Sequence, residues 1–128
     1  MPRSFPSFGI TLVAASLLFA AAPSIIDGPT VERTTTNSAI ISWIAKTPGG
    51  TDFHYAIAHY GTNSQNLAEI AKSPTRRNRS HPEMTFRVLL QELKPGTTYY
   101  YWVESVQANG NPDGVRSGIS QFTTPHSP

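Results

Sequence analysis

The sequence contains no cysteine and few charged residues, and both shortages narrow what it can encode. Without cysteine there is no disulfide, no zinc site built on thiolates and no thiol nucleophile. Charged residues make up 14% of the chain and the formal net charge is +2. That balance lacks the strong basic excess of a dedicated nucleic-acid binder. We therefore expect a domain held together by packing alone, with no nucleic-acid partner.

An apolar segment near the N-terminus has the layout of a secretory signal peptide. Arg3 gives a positive start, residues 10–22 are apolar apart from Thr11 and Ser16, and small residues stand at 20–22. The run is shorter than the about 20 apolar residues of a transmembrane helix. We predict a signal peptide over residues 1–24, cleaved near 22–24, and a secreted, periplasmic or cell-surface protein. Membrane attachment is expected only if the leader stays uncleaved.

Beyond the leader, short apolar segments alternate with turns that are rich in glycine and proline. The chain has 9 glycines and 11 prolines, and apolar residues recur at every second position around Trp43 and Phe86. This period is typical of strands that bury one face. Seven strands are predicted, at 30–34, 38–44, 53–60, 67–71, 84–90, 98–106 and 117–123. They predict an all-β, antiparallel sandwich of two sheets over residues 25–128.

One turn resembles a known family. The run Leu93-Lys94-Pro95-Gly96-Thr97-Thr98-Tyr99 resembles the corner of fibronectin type III domains, where a leucine, a Pro-Gly turn and a tyrosine recur together. Trp43 matches the buried tryptophan of that family, and Phe122-Thr123-Thr124-Pro125 matches its closing strand. The resemblance implies a seven-stranded, immunoglobulin-like β-sandwich.

Two further runs narrow the resemblance. Tyr60-Gly61-Thr62-Asn63 and Thr97-Thr98-Tyr99-Tyr100-Tyr101 are similar to the fibronectin-like N-terminal domain of purple acid phosphatases and of related bacterial exported proteins. The resemblance covers residues 28–125. It implies no catalytic residues, because the metal site of those phosphatases lies in a separate, later domain.

The corner also has a physical interpretation of its own. Pro95 fixes φ and Gly96 permits a tight turn. Tyr99 can then bury its ring and return its hydroxyl to the backbone near Leu93. We therefore assign Trp43, Leu93, Pro95, Gly96 and Tyr99 to stability.

No catalytic motif is found. His54, His59, His81 and His126 do not stand in metal-ligand spacing with carboxylates, and we expect them to be solvated or incidental. There is no Gly-x-Ser-x-Gly elbow and no phosphate-binding glycine loop. The sequence predicts a protein that is not an enzyme, with no metal site and no cofactor.

An outward-facing set of large side chains is the main candidate site. If Tyr99 points inward, Tyr100 and Trp102 point outward. The neighbouring strand has two possible registers: one places Tyr55 and Ile57 beside them, and the other buries these two residues. The candidate partner-binding residues are Tyr55, Ile57, Tyr100 and Trp102.

A basic loop is the weaker candidate. Arg76, Arg77 and Arg79 lie in a predicted loop at 72–82, and together they can hold a polyanion. The alternative is a solvated loop kept soluble by its charge, which we favour because no aromatic residues interleave with the arginines.

Three function classes remain open at this point. The one we adopt is a non-catalytic binding or assembly module with a protein partner, or one that associates with itself. The alternatives are a carbohydrate-surface module, with a polysaccharide stacked on Tyr100 and Trp102, and a detached accessory domain of a metallophosphatase system.

Overall fold

The computed structural model describes residues 25–46 and 50–127. The predicted signal peptide lies outside the described residues. Eight strands form the regular structure: β1 (Ile25–Thr34), β2 (Ala39–Lys46), β3 (Phe53–Gly61), β4 (Glu69–Arg76), β5 (Glu83–Leu90), β6 (Thr98–Gln107), β7 (Pro112–Arg116) and β8 (Ser120–Thr123). Within these residues there is no helix long and apolar enough to span a membrane.

The strands form two antiparallel sheets, which confirms the predicted sandwich. The three-stranded sheet has the order β1-β2-β5. The five-stranded sheet has the order β4-β3-β6, and β7 and β8 both pair with the remaining edge of β6. The count of eight arises because the closing strand is interrupted between β7 and β8.

The prediction of a single closing strand over 117–123 was therefore wrong in detail. Pro112–Arg116 forms β7, and pairing resumes only at Ser120. Gly114 has a φ of 82°, and the register of β7 against β6 shifts across it. A bulge of this kind lets a segment that is rich in turn residues still pair as an edge strand.

The predicted loop at 72–82 was also wrong over its first half. β4 continues to Arg76 and pairs with β3 along its whole length. Pro74 lies within it, which an edge strand tolerates because one side of its backbone has no ladder partner. The strand's length comes from its pairing with β3 rather than from its own apolar pattern.

The core lies between the sheets and receives the inward residues of β2, β3, β5 and β6. Trp43 of β2 is 2% exposed and stacks on Phe86, its partner on β5, with ring centroids 5.3 Å apart. Ala56 and Ala58 of β3 are fully buried. Of the two registers that the sequence left open for β3, the structure thus has the one that turns Tyr55 and Ile57 outward.

The corner connects the end of β5 to β6. Leu93 is buried and donates its backbone N–H to the carbonyl of Asn37 at 2.9 Å. Lys94 donates its N–H to the Tyr99 hydroxyl at 2.8 Å. Gly96, which follows Pro95, has a φ of 57°, and a Cβ there would collide with the His126 ring. The left-handed conformation favours glycine at this position, whereas the exposed His126 side chain could turn away from a Cβ.

We expect Tyr99→Phe to lower the free energy of unfolding by about 1–2 kcal/mol, because the Lys94 N–H loses its acceptor while the buried ring is kept. Urea unfolding would measure this, with Tyr100→Phe on the opposite face as the control. Equal, negligible losses in both variants would show that the corner hydrogen bond does not stabilise the fold.

Candidate partner-binding face

The side of the five-stranded sheet that faces away from the core carries most of the large outward side chains. The two central strands supply them, and we call the surface they form the aromatic face. Its residues are Phe53, Tyr55 and Ile57 of β3 with Tyr100 and Trp102 of β6. β3 and β6 are hydrogen-bonded neighbours, so the structure brings all four predicted partner-binding residues to one surface. Phe53 is 42% exposed, and Ile70 of β4, on the same side, is 62% exposed.

Trp102 lies in the middle of a row of stacked side chains. The His59 ring stacks on one face of the indole, with centroids 3.9 Å apart and planes inclined by 9°. The Arg116 guanidinium carbon lies 4.0 Å from the indole centroid. Because β3 and β7 flank β6 on opposite sides, His59 and Arg116 cover opposite faces of the ring. Trp102 therefore presents an edge to solvent.

An ion-pair-like contact fixes the His59 ring. Nε2 of His59 lies 2.6 Å from Oε2 of Glu104, and the two side chains are 20% and 24% exposed. The contact crosses from β3 to β6 beside the Trp102 stack. The half-buried row of His59, Trp102 and Glu104 is thus held in place by packing as well as by hydrogen bonding.

Two more cations lie over rings on the other side of the aromatic face. Lys72 Nζ is 4.4 Å from the centroid of Tyr55, and the Arg76 guanidinium carbon is 5.4 Å from that of Phe53. Both cations come from β4. The aromatic face is consequently bordered by cations on both edge strands, β4 and β7.

The three arginines of the basic segment do not form one site. Arg76 belongs to the edge of the aromatic face, although no aromatic residue interleaves with it in the sequence. Arg79 instead forms an ion pair with Asp52. Its hydrogen bonds to Asp52 hold the pKa of that carboxyl below the ordinary value. Arg77 donates its backbone N–H to the Asp52 carbonyl at 2.7 Å. Pairing with Asp52 offsets part of the charge on which polyanion binding would depend.

His54 corrects the prediction that the histidines are solvated or incidental. Its side chain is 0% exposed, and Nδ1 lies 2.9 Å from Oδ2 of Asp113. Ser105 Oγ donates to the same oxygen at 2.7 Å. The three side chains connect β3, β6 and β7 at the core side of the sheet.

These three residue types are those of a hydrolase triad, but their arrangement is different. Ser105 and His54 both contact Asp113, whereas a serine nucleophile requires its hydroxyl on the histidine. All three are also buried, so a substrate has no access to them. Among residues 25–46 and 50–127, no three His, Asp or Glu side chains are grouped so that they could hold a metal ion. The network is structural.

Comparison with known families decides the assignment. The family model of the purple acid phosphatase N-terminal domain matches residues 28–124. The chain belongs to this family. No curated protein sequence matches it significantly.

Solved structures of other proteins have the same fold as this chain. The sensor domain of the anti-sigma factor RsgI4 of Pseudobacteroides cellulosolvens is 18% identical and superposes with a TM-score of 0.54, over 83% of this chain and 76% of that one. The FN1–FN3 domains of chicken CNTN1 are 16% identical, with a TM-score of 0.52 over 82% of this chain and 33% of that one. The fold is fibronectin type III-like, as the corner motif predicted.

Sequence reasoning missed the residues that hold the aromatic face in place. Strand alternation predicts the outward direction of Tyr100 and Trp102. It does not predict that His59 and Arg116 stack on Trp102, because this depends on the register in which β3 and β7 pair with β6. Asp113 was also missed, since it lies between the strands predicted at 98–106 and 117–123.

Proposed function

We propose that the domain is an exported, non-catalytic binding module that captures a protein partner through its aromatic face. The observation that carries the proposal is the group of large side chains on a surface that faces away from the core: Phe53 is exposed, and Tyr55, Ile57, Tyr100 and Trp102 are half-buried. Contiguous exposed apolar surface usually marks an interaction site, and tryptophan and tyrosine dominate interface energetics.

Two further observations support a binding role. The matched family model is that of an N-terminal accessory domain rather than a catalytic one. A structural neighbour of the same fold is a sensor domain of an anti-sigma factor. Both fit an accessory or recognition module, and we place its action outside the cytoplasm, in the secreted, periplasmic or cell-surface space that the leader predicts.

The carbohydrate alternative has less support from the geometry. A sugar ring stacks on a free aromatic face, but His59 and Arg116 cover both faces of Trp102. The detached accessory-domain alternative agrees with the family and is compatible with our proposal, because such a domain also acts by contacting another protein.

We expect the double substitution Tyr100→Ser and Trp102→Ser to abolish partner binding while the domain stays folded. Both side chains are outward, so their loss leaves the core intact, whereas truncation of interface aromatics costs about 2 kcal/mol or more of binding energy each. Capture of partners from the host's extracellular fraction by the immobilised domain, together with circular dichroism of each variant, would measure both effects.

A matched control is Leu89→Ser, which removes an exposed apolar side chain from β5 of the other sheet. Binding should survive in this variant. If the double variant unfolds, Tyr100 and Trp102 act as core residues and the aromatic face is not a binding surface. If it stays folded and still binds its partner, the interaction lies elsewhere, and the segment from Arg76 to Arg79 is the next site to test.

A further inference from the structure

The three cations that border the aromatic face make no ion pair with a carboxylate in the described part of the chain. Lys72, Arg76 and Arg116 are exposed and lie over the rings of Tyr55, Phe53 and Trp102. The ion pairs formed by the described residues involve other basic side chains: His54, His59, Arg79 and Arg87. A cation held over a ring keeps its full charge and its N–H donors.

Acidic side chains balance only part of this charge: Asp52 interacts electrostatically with Arg76, and Glu104 is the cross-strand partner of Arg116. Strand alternation places one carboxylate, that of Glu104, on the same side of the described strands of the sheet, and its Oε2 is already bonded to His59. The aromatic face, in which His59 and Glu104 lie between Ile57 and Trp102, therefore carries a net positive charge along its two long edges.

From this charge distribution we propose that the partner is an acidic protein segment, one that sets apolar side chains against the strip and carboxylates against Lys72, Arg76 and Arg116. The inference rests on the proposed function and names its partner class. Arginine and carboxylate pair in a planar, bidentate geometry, so Arg116 can hold a carboxylate while it remains over Trp102.

The same distribution argues against a second copy of the chain as the occupant. In a face-to-face pair of identical domains, each cationic edge meets a cationic edge of the other copy, because β4 and β7 both carry cations that form no ion pair among the described residues. Like charges set against each other across an interface oppose association.

Ring coverage argues against a nucleic-acid base or a neutral sugar stacked on Trp102. Single-stranded nucleic acids bind by stacking their bases on open aromatic platforms. The platform at Trp102 is covered on both faces, and Lys72 lies over Tyr55. The cations offer positive charge and N–H donors, and a carboxylate can pair with the charge and accept the hydrogen bonds.

Selection from a random peptide library displayed on phage, against the immobilised domain, tests the proposal without a known partner. Peptides that bind the wild-type domain, but not the Tyr100→Ser, Trp102→Ser variant, should be enriched in Asp and Glu next to apolar residues. If the peptides that bind the wild type but not this variant are neutral or basic, the acidic partner is wrong and the proposed function still stands. If no peptide distinguishes the two proteins, both the acidic partner and the proposed function are wrong.

Affinity measurements on one selected peptide provide the second arm. Lys72→Glu with Arg116→Glu should weaken its binding tenfold or more. Arg33→Glu with Lys94→Glu, which changes the net charge equally but lies away from the aromatic face, should leave it within about twofold. Equal effects of the two double variants would overturn the proposal. Tighter binding of heparin or oligothymidylate than of the peptide would also overturn the proposal. The same holds if the free domain forms a dimer that the Lys72 and Arg116 substitutions stabilise.

Discussion

Asp113→Ala is expected to lower the free energy of unfolding by about 2–5 kcal/mol. Oδ2 of Asp113 accepts hydrogen bonds from His54 and Ser105, and the side chains of Asp113 and His54 are fully buried. Removing the carboxylate leaves two buried polar groups without a partner, each at a cost of about 1–3 kcal/mol. It also removes the side-chain link from β7 to β3 and β6, whereas the backbone pairing of β7 with β6 remains.

A comparison with Glu104→Ala shows whether burial is the cause. His59–Glu104 is likewise a histidine–carboxylate contact that involves β3 and β6, but both of its side chains are partly exposed. Such pairs contribute at most about 1 kcal/mol. Urea unfolding of the two variants at one pH should therefore separate them clearly. Similar small losses would mean that the buried network of His54, Ser105 and Asp113 does not hold the sheet together.

The sequence predicts those parts of the fold in which the deciding residues lie close together in the chain. The corner could be predicted because Leu93, Pro95, Gly96 and Tyr99 lie within one turn, and each has a conformational or packing role there. The central strands could be predicted because their apolar residues alternate against a single core. The edges could be predicted only in part. The strand predicted at 67–71 overlaps β4 but stops before Pro74, and β7 was not predicted, because both strands contain proline or glycine and depend on pairing with a neighbour.

The candidate site divides in the same way. The outward direction of Tyr100 and Trp102 follows from the inward direction of Tyr99, one residue before Tyr100 in the strand. Tyr55 and Ile57 could not be placed from the sequence, because a one-residue change in register would have buried them. Once the structure fixes Ala56 and Ala58 inward, the direction of both follows. The cation border arises from pairing between strands and has no signal in the sequence.

Trp43→Ala should have the largest effect, a loss of about 3–5 kcal/mol in the free energy of unfolding. Trp43 lies in the centre of the three-stranded sheet, is 2% exposed and stacks on Phe86. Its removal leaves a cavity between two sheets that cannot close together, because the ladders on either side fix their backbones. A loss of this size is comparable to the whole stability of a small domain, so the variant can be largely unfolded without denaturant.

Trp43→Phe keeps the effect measurable in a folded protein. The smaller ring preserves contact with Phe86, and the substitution also removes Nε1, a buried donor with no hydrogen-bond partner in the described part of the chain. Because that donor is costly to bury, we expect Trp43→Phe to destabilise the domain far less than Trp43→Ala. Urea melts of both, beside Trp102→Ala on the outer side of the other sheet, would show the order. If Trp102→Ala destabilises as strongly as Trp43→Ala, the packing of Trp102 between His59 and Arg116 supports the fold itself, and the aromatic face cannot be treated as separate from the core.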